Sequence, residues 1–420
     1  MNVIALQGAD RWIGVPFCFV LTILRALSGR RLPGAGDRPR NILFVKLAEQ
    51  GSTVLAYPAL KRAVEMAGAR NVHFLTLEEN RFILNCLRVI PEENIITVSL
   101  RSFIGFLKSV ARVLWRLGRL ELDVAIDLEF FSRCSAALAY LSGARKRVGF
   151  HAFSGGGPYR GNLMTHRLIY NPHLHTSQTF LTLVEAALRD PAELPALNIG
   201  LPTILPEPPQ FLPNFEERRQ VLEMVGGDKG RIVLLNPNCG DMLPLRRWPA
   251  ESYVELAHRL LERYRDVLVV LTGSPDETEA AEELIRKVGS ERCRSVAGKT
   301  TLRQLLTLYG LADVLATNDS GPAHFASLTP VRVITLFGPE TPELFAARTP
   351  RNRVVWGRLP CSPCVSAYNN RQSPCRDNLC MQAISVEEVF EEVCGALEAV
   401  RQKRSVPARS EASPALTGVC

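Results

Sequence analysis

Short apolar runs rich in β-branched residues alternate along most of the chain with segments of helical periodicity. In the first half, the runs near 41–46, 71–76, 94–98, 123–127 and 146–149 predict strands, with helices near 52–67, 80–87, 101–118 and 132–142. In the second half "RIVLLN" (231–236), "VLVVLT" (267–272), "RSVAG" (294–298), "VLAT" (314–317) and "VRVITLF" (331–337) read as strands. Their intervening helices fall near 250–264, 276–288, 301–310 and 321–328. Alternation of strand and helix implies right-handed crossovers and parallel sheets. Between the halves, residues 190–215 hold seven prolines in 26 positions, the composition of a linker. The expected architecture is α/β: two Rossmann-like domains, 41–189 and 216–402, with parallel sheets facing a central cleft. A 1–40 apolar and basic segment precedes them, and a polar, small-residue tail (403–420) of disordered composition follows.

Two segments break the simple pattern. "WIGVPFCFVLTIL" (12–24) is apolar for thirteen residues and is followed by Arg25, Arg30 and Arg31. It is short for a bilayer span, which needs about 20 apolar residues, and no small-residue cleavage site precedes the first strand. It reads either as an interfacial or re-entrant anchor or as a helix packed on the domain. In residues 101–122, Arg101, Lys108, Arg112, Arg116 and Arg119 recur on one helical face, and apolar residues from Phe103 to Leu117 fill most of the rest. That face suits either anionic headgroups or plain solvation.

Charge sharpens this reading. The net charge of +8 is concentrated in residues 1–150, where 21 Lys+Arg face 12 Asp+Glu, against 29 and 30 in the remainder. A basic first third points to an anionic partner: a membrane surface, a phosphorylated substrate or a nucleic acid. At 46% hydrophobic and 22% charged the chain is globular, and 420 residues suit two cores.

Candidate chemistry lies in loops that follow strands. In "VLATNDSGPAHFASLTPVRVITLFGP" (314–339), Asn318 and Asp319 end a strand. Ser320, Gly321 and Pro322 open a helix carrying His324, a place for backbone N–H groups to meet phosphate. In "NPNCGDMLPLRRWPAESY" (236–253), Arg246 and Arg247 suit a diphosphate. In "VLTGSPDETEAAEEL" (270–284), Glu277 can hold a ribose diol, although a carboxylate there also serves as a helix cap. After the first strand, "ILFVKLAEQGST" places Glu49, Gly51, Ser52 and Thr53 in a loop on the other side of the cleft. No strand-linked G-x-G-x-x-G and no Walker A sequence occurs.

These residues in this order resemble glycosyltransferase family 9, the ADP-heptose:lipopolysaccharide heptosyltransferases and their relatives. The resemblance covers roughly 41–400 and rests chiefly on "NDSGPAHFASLTPVRVITLFGP", with "LPLRRWPAESY" and "LTGSPDE" in support. It implies a GT-B fold and inverting, metal-independent sugar transfer from a nucleotide-sugar donor to a lipid-linked or phosphorylated glycan. No catalytic cofactor, no nucleic-acid partner and a cytoplasmic site at the inner face of the membrane follow from it. It implies that Arg246 stands near the donor phosphates, Glu277 at the ribose, and Asp319, Ser320, Gly321 and His324 around the phosphates and sugar. The family's first loop usually reads Gly-Asp, the Asp being the proposed base. Here Ser52 follows Gly51, so Glu49 is the candidate base, since a serine has no useful basicity near neutral pH. Two other readings stay open: a sugar-nucleotide binder that has lost catalysis, and a nucleotide-sugar epimerase or hydrolase of the same architecture.

Of the eleven cysteines, Cys361, Cys364, Cys375 and Cys380 fall in a C-x2-C-x10-C-x4-C pattern. Four thiolates in twenty residues suit a structural Zn²⁺, and the alternative is four free thiols in an ordered loop.

Overall fold

The computed structural model describes residues 8, 10–28, 38–153, 158–227, 230–240 and 242–405. The expected tail beyond 405, and residues 29–37 of the N-terminal segment, lie outside them. The first sheet contains β1 (Ile42–Val45), β2 (Val72–Leu77), β3 (Ile95–Val98), β4 (Val124–Asp127), β5 (Lys146–Phe150) and β6 (His166–Leu168), in the order β3-β2-β1-β4-β5-β6. The second contains β7 (Arg231–Asn236), β8 (Val267–Leu271), β9 (Cys293–Ser295), β10 (Val314–Asn318), β11 (Arg332–Phe337) and β12 (Asn352–Trp356), in the order β12-β11-β10-β7-β8-β9. Every pairing in both is parallel. Central strands such as β1 are apolar throughout because helices cover both faces. The edge strands β6 and β12 carry no such run and are not legible in the sequence: β6 is three residues long, and β12 exposes Arg353 and Val354.

The helices of the first half are α1 (Gly14–Leu27), α2 (Gln50–Leu55), α3 (Tyr57–Ala67), α4 (Arg81–Leu87), α5 (Phe103–Leu117), α6 (Arg133–Leu141) and α7 (Thr176–Ala186). The second half adds α8 (Phe215–Val225), α9 (Ala250–Arg263), α10 (Thr278–Val288), α11 (Leu302–Leu311), α12 (Gly321–Ala326), α13 (Pro342–Phe345), α14 (Leu379–Gln382) and α15 (Val386–Ser405). The helix expected over 52–67 breaks at Ala56, because Pro58 has no N–H to give the preceding turn.

Three large apolar clusters hold these elements, with a small fourth at Phe337, Leu344 and Phe345. One lies on the outer face of the first sheet and takes in Val113 and Leu117 of α5, Ala136 of α6, and Cys18 and Leu21 of α1. A second covers the outer face of the second sheet with α9, α10 and α15. The third is continuous across both halves, joining Phe44, Ile126 and Val184 to Leu234, Leu315 and Phe325. Each fully buried side chain of this kind contributes about 1.5–3 kcal/mol.

The N-terminal apolar segment is a helix laid along the domain. Asp10 accepts hydrogen bonds from Cys134 N (2.6 Å) and Ser132 Oγ (3.2 Å) and pairs with Arg133 at 3.4 Å. Asn162 N donates to Thr22 Oγ1 at 3.0 Å. The outward side of α1 and its leading turn expose Trp12, Phe19, Leu24 and Leu27. On the same face of the sheet, α5 exposes Phe103, Ile104, Leu107 and Trp115. Among the described residues no helix is long and apolar enough to cross a membrane.

Candidate active site

In each sheet the order in which strands are added reverses between two neighbours, β1/β4 in the first and β7/β10 in the second. Open α/β sheets bind ligands outside the carboxyl ends of their strands at such switch points. The loops leaving these strands meet in a cleft of about 680 Å³ between the two sheets, lined from one side by Glu49, Gly51 and Ser52 and from the other by Arg246, Asp319 and Arg371.

The loop after β1 is fixed from below. Leu47 N and Ala48 N donate to Glu129 Oε1 at 2.8 and 2.9 Å, and buried Lys46 lies 3.7 Å from the same carboxylate. Glu49 then turns with a left-handed backbone (φ 63°), and its side chain enters the cleft. Its Oε1 pairs with Arg371 Nη1, and its Oε2 accepts from Ser52 Oγ at 3.1 Å and lies 4.0 Å from Lys46 Nζ. Burial alone would raise its pKa, but Arg371, Lys46, the Ser52 hydrogen bond and Arg246 outweigh it and hold the carboxyl at about 2. Thr53 is fully buried, its hydroxyl turned back to Glu49 O at 3.4 Å.

Gly51 sets how closely the halves approach. A Cβ at residue 51 would stand 2.7 Å from His324 Cδ2 and 3.0 Å from Gly321 Cα, so α2 packs on α12 only because that position is bare.

On the opposite wall, Arg246 ends a turn opened by Pro244, ahead of the buried Trp248, whose Nε1 donates to Ile384 O at 3.0 Å. Arg246 donates to Cys239 O at 3.2 Å and lies 3.9 Å from Asp319 Oδ2. That oxygen has no hydrogen-bond partner within the protein. Burial pushes the Asp319 carboxyl up to about 7, against the opposing field of Arg246. His324 is buried, which lowers its pKa to about 3, so its imidazole is neutral and its Nδ1 is unpartnered. Ser320 and Gly321 line the cleft beside it. Glu277 also faces the cleft, and one of its oxygens caps the turn by accepting from Ser274 N at 2.7 Å.

Two expected donor residues stand elsewhere. The Asn318 side chain is fully buried and ties loops together: Oδ1 accepts from Trp248 N (3.1 Å), and Nδ2 donates to Pro237 O (2.9 Å). Arg247 is not among the residues that line the cleft, and its carbonyl accepts from Asn378 at 2.7 Å.

Two cleft residues are not singled out by the sequence. Glu340 stands directly after the quoted "LFGP" run, is 2% exposed and keeps Oε1 without a hydrogen-bond partner. Burial raises its pKa, against Arg371 and Arg246. Arg371 falls inside the cysteine segment, where spacing draws attention to thiols. Among the described residues no group of three or more His, Cys, Asp or Glu is placed to hold a metal ion. Cys361 and Cys375 are exposed, and Cys364 accepts from Ser373 Oγ at 3.2 Å.

The model of glycosyltransferase family 9 (heptosyltransferase) matches residues 110–373. Lipopolysaccharide heptosyltransferase 2 of Salmonella typhimurium is 36% identical over 116 residues, which are 27% of this chain and 32% of that protein. The chain thus matches about a third of that curated relative's length. Among solved structures, the E. coli ADP-heptose lps heptosyltransferase II superposes with a TM-score of 0.65 at 19% identity, covering 86% of this chain and 99% of that one. The glycosyl transferase family 9 structure from Veillonella parvula gives a TM-score of 0.64 at 20% identity, covering 86% and 97%. At these identities the likeness is one of fold, and it is the GT-B arrangement the sequence led us to expect. With that fold and a family model spanning more than half of its residues, the chain belongs to glycosyltransferase family 9.

Proposed function

We propose that the protein is an inverting glycosyltransferase that moves a sugar, heptose in the first instance, from a nucleotide donor to a lipopolysaccharide-core or other lipid-linked glycan. The observation that carries this reading is the convergence, in one interdomain cleft, of a carboxylate from the first domain with Arg246, Asp319, His324 and Glu277 from the second. The names of the curated relatives support heptose and the lipopolysaccharide core. In this reading Glu49 takes the proton of an acceptor hydroxyl, and the oxygen attacks the anomeric carbon from the face opposite the leaving group. The carbon–oxygen bond to the diphosphate breaks, and the electron pair leaves with the nucleoside diphosphate. Guanidinium charge from Arg246 meets that anion in a partly desolvated site, where fixed charge is most effective. Glu277 accepts from the ribose hydroxyls.

Incubation with ADP-heptose and a core-lipid acceptor, read by mass spectrometry, tests this directly. Transfer with inverted anomeric configuration, unchanged by EDTA, is expected, with ADP favoured over UDP or GDP in thermal-shift binding. Release of free sugar or an epimer without acceptor would point to hydrolase or epimerase chemistry. Donor binding without turnover on any acceptor would leave a binder alone.

A cytoplasmic protein seated on the inner face of the membrane also belongs to this proposal. Exposed apolar side chains of α5 share their helix with exposed Lys108 and Arg112, Arg119 follows it, and no carboxylate occurs between 101 and 120; α1 exposes further apolar side chains on the same face of the sheet. Such a surface suits insertion at an anionic interface. Cosedimentation with phosphatidylglycerol vesicles is expected, weakened by high salt and by the pair Phe103→Ser and Leu107→Ser. Equal recovery with phosphatidylcholine vesicles would count against it.

A further inference from the structure

Arg371 stands where two anions compete for one guanidinium. It belongs to the second domain and reaches Glu49 of the first, with its Nε 3.5 Å from Glu340 Oε1 and its guanidinium over the Phe345 ring at 4.7 Å. Both ends of the cross-domain pair rest on left-handed backbone: φ is 54° at Asn370, 55° at Arg371 and 63° at Glu49. Non-glycine residues adopt such angles rarely, and those that do cluster at functional sites.

Among the described residues that line the cleft, Arg246 and Arg371 are the ones that carry positive charge, His324 being neutral. They share the cleft with five carboxylates, Glu49, Glu79, Glu277, Asp319 and Glu340, of which Glu49, Asp319 and Glu340 lie against the two guanidinium groups. A diphosphate entering this cleft adds more negative charge and has few cations to meet it. Arg246 already has Asp319 beside it at 3.9 Å. Arg371 is then the second available fork, and guanidinium groups bind phosphate oxygens bidentately. Glu49 can give it up, because its Oε2 keeps Ser52 at 3.1 Å and Lys46 at 4.0 Å. Lys46 is shared in turn with Glu129 at 3.7 Å.

We propose that Arg371 is a positioning residue exchanged between two anions: it clamps Glu49 until a nucleoside diphosphate group enters, then transfers to that group and uncovers Glu49 Oε1. This rests on the donor-site reading above. The acceptor proton then passes to Glu49 Oε1 as the new carbon–oxygen bond forms. The diphosphate departs with its bonding pair under Arg371 and Arg246. The clamped carboxylate is a poor base, so the exchange ties proton abstraction to donor occupancy and protects the donor from premature attack.

The test is a binding cycle by calorimetry with ADP and, separately, inorganic pyrophosphate, in the wild type, Glu49→Gln, Arg371→Gln and the double variant. Removing the competing carboxylate is expected to tighten both ligands by about 3- to 10-fold in Glu49→Gln, and that gain is expected to vanish in the Arg371→Gln background. Arg371→Gln alone weakens both, and Arg371→Lys recovers part of the loss. A purely structural ion pair would lower the melting temperature of both single variants without tightening either ligand. Unchanged or weaker binding in Glu49→Gln overturns the exchange, and this arm stands even if Arg371 variants fail to fold. Turnover separates the two ideas: tighter ADP with full activity in Glu49→Gln removes Glu49 as base and keeps the exchange. No binding of ADP or pyrophosphate to the wild type or to Glu49→Gln removes both the exchange and the donor-site reading.

Discussion

At Gly51 the two halves of the molecule come within contact distance of each other's backbone. An alanine there must displace His324 or part the helices α2 and α12, since its Cβ would lie 2.7 Å from the imidazole. We expect Gly51→Ala to lose at least tenfold in kcat/KM and about 1–3 kcal/mol in stability, as overpacked sites do; kinetics and urea unfolding check this. Asp319 makes a prediction of opposite sign. Its carboxyl is raised to about 7 in the fold, against about 4 when unfolded. Its contribution to stability is therefore full below about pH 4 and is lost as the pH rises towards about 7. Asp319→Asn should raise the melting temperature more at about pH 8 than at about pH 5, while abolishing transfer. A melting temperature that falls equally at both values refutes this. The motif residues Asp319, Gly321 and His324 are legible because their spacing is local. Arg371 is not, because its role depends on a contact spanning 322 positions of sequence. Glu340 is likewise given meaning only by what the fold buries beside it.

At the scale of elements, the alternating pattern reveals the interior strands because parallel strands covered on both faces must be apolar. It does not reveal β6, which is three residues long with one apolar side chain, or β12, whose Arg353 and Val354 are exposed. Nor does periodicity alone decide between a packed and an interfacial α1, because the helix is both: Cys18 and Leu21 join the core, and its other side faces outward. This tether is narrow. Leu21→Ala removes one of its two buried side chains, so we expect faster trypsin cleavage at Arg25 with ADP affinity unchanged, as for a local opening. Equal cleavage rates would show that the Asp10 and Thr22 bonds suffice.

For the whole molecule, the division into two α/β units is readable from the proline-rich stretch, and the basic bias of the first third marks the half that bears α1 and α5. What composition cannot show is that the inner core is shared. One apolar cluster runs from Phe44 to Leu315 through both halves, and Phe211, within the proline-rich stretch itself, packs edge-on to Phe82 while its N–H donates to Leu328 O at 2.7 Å. We therefore expect a single calorimetric unfolding transition that ADP shifts upward as one peak; two resolved peaks would show independent domains.

That shared core also bears on ancestry and engineering. Recombining the first half of this chain with the second half of a cousin, a natural route to new donor–acceptor pairings, would cut through tightly packed side chains instead of a hinge. Viable chimaeras should demand matched residues on both inner faces, so that donor and acceptor preferences are inherited together.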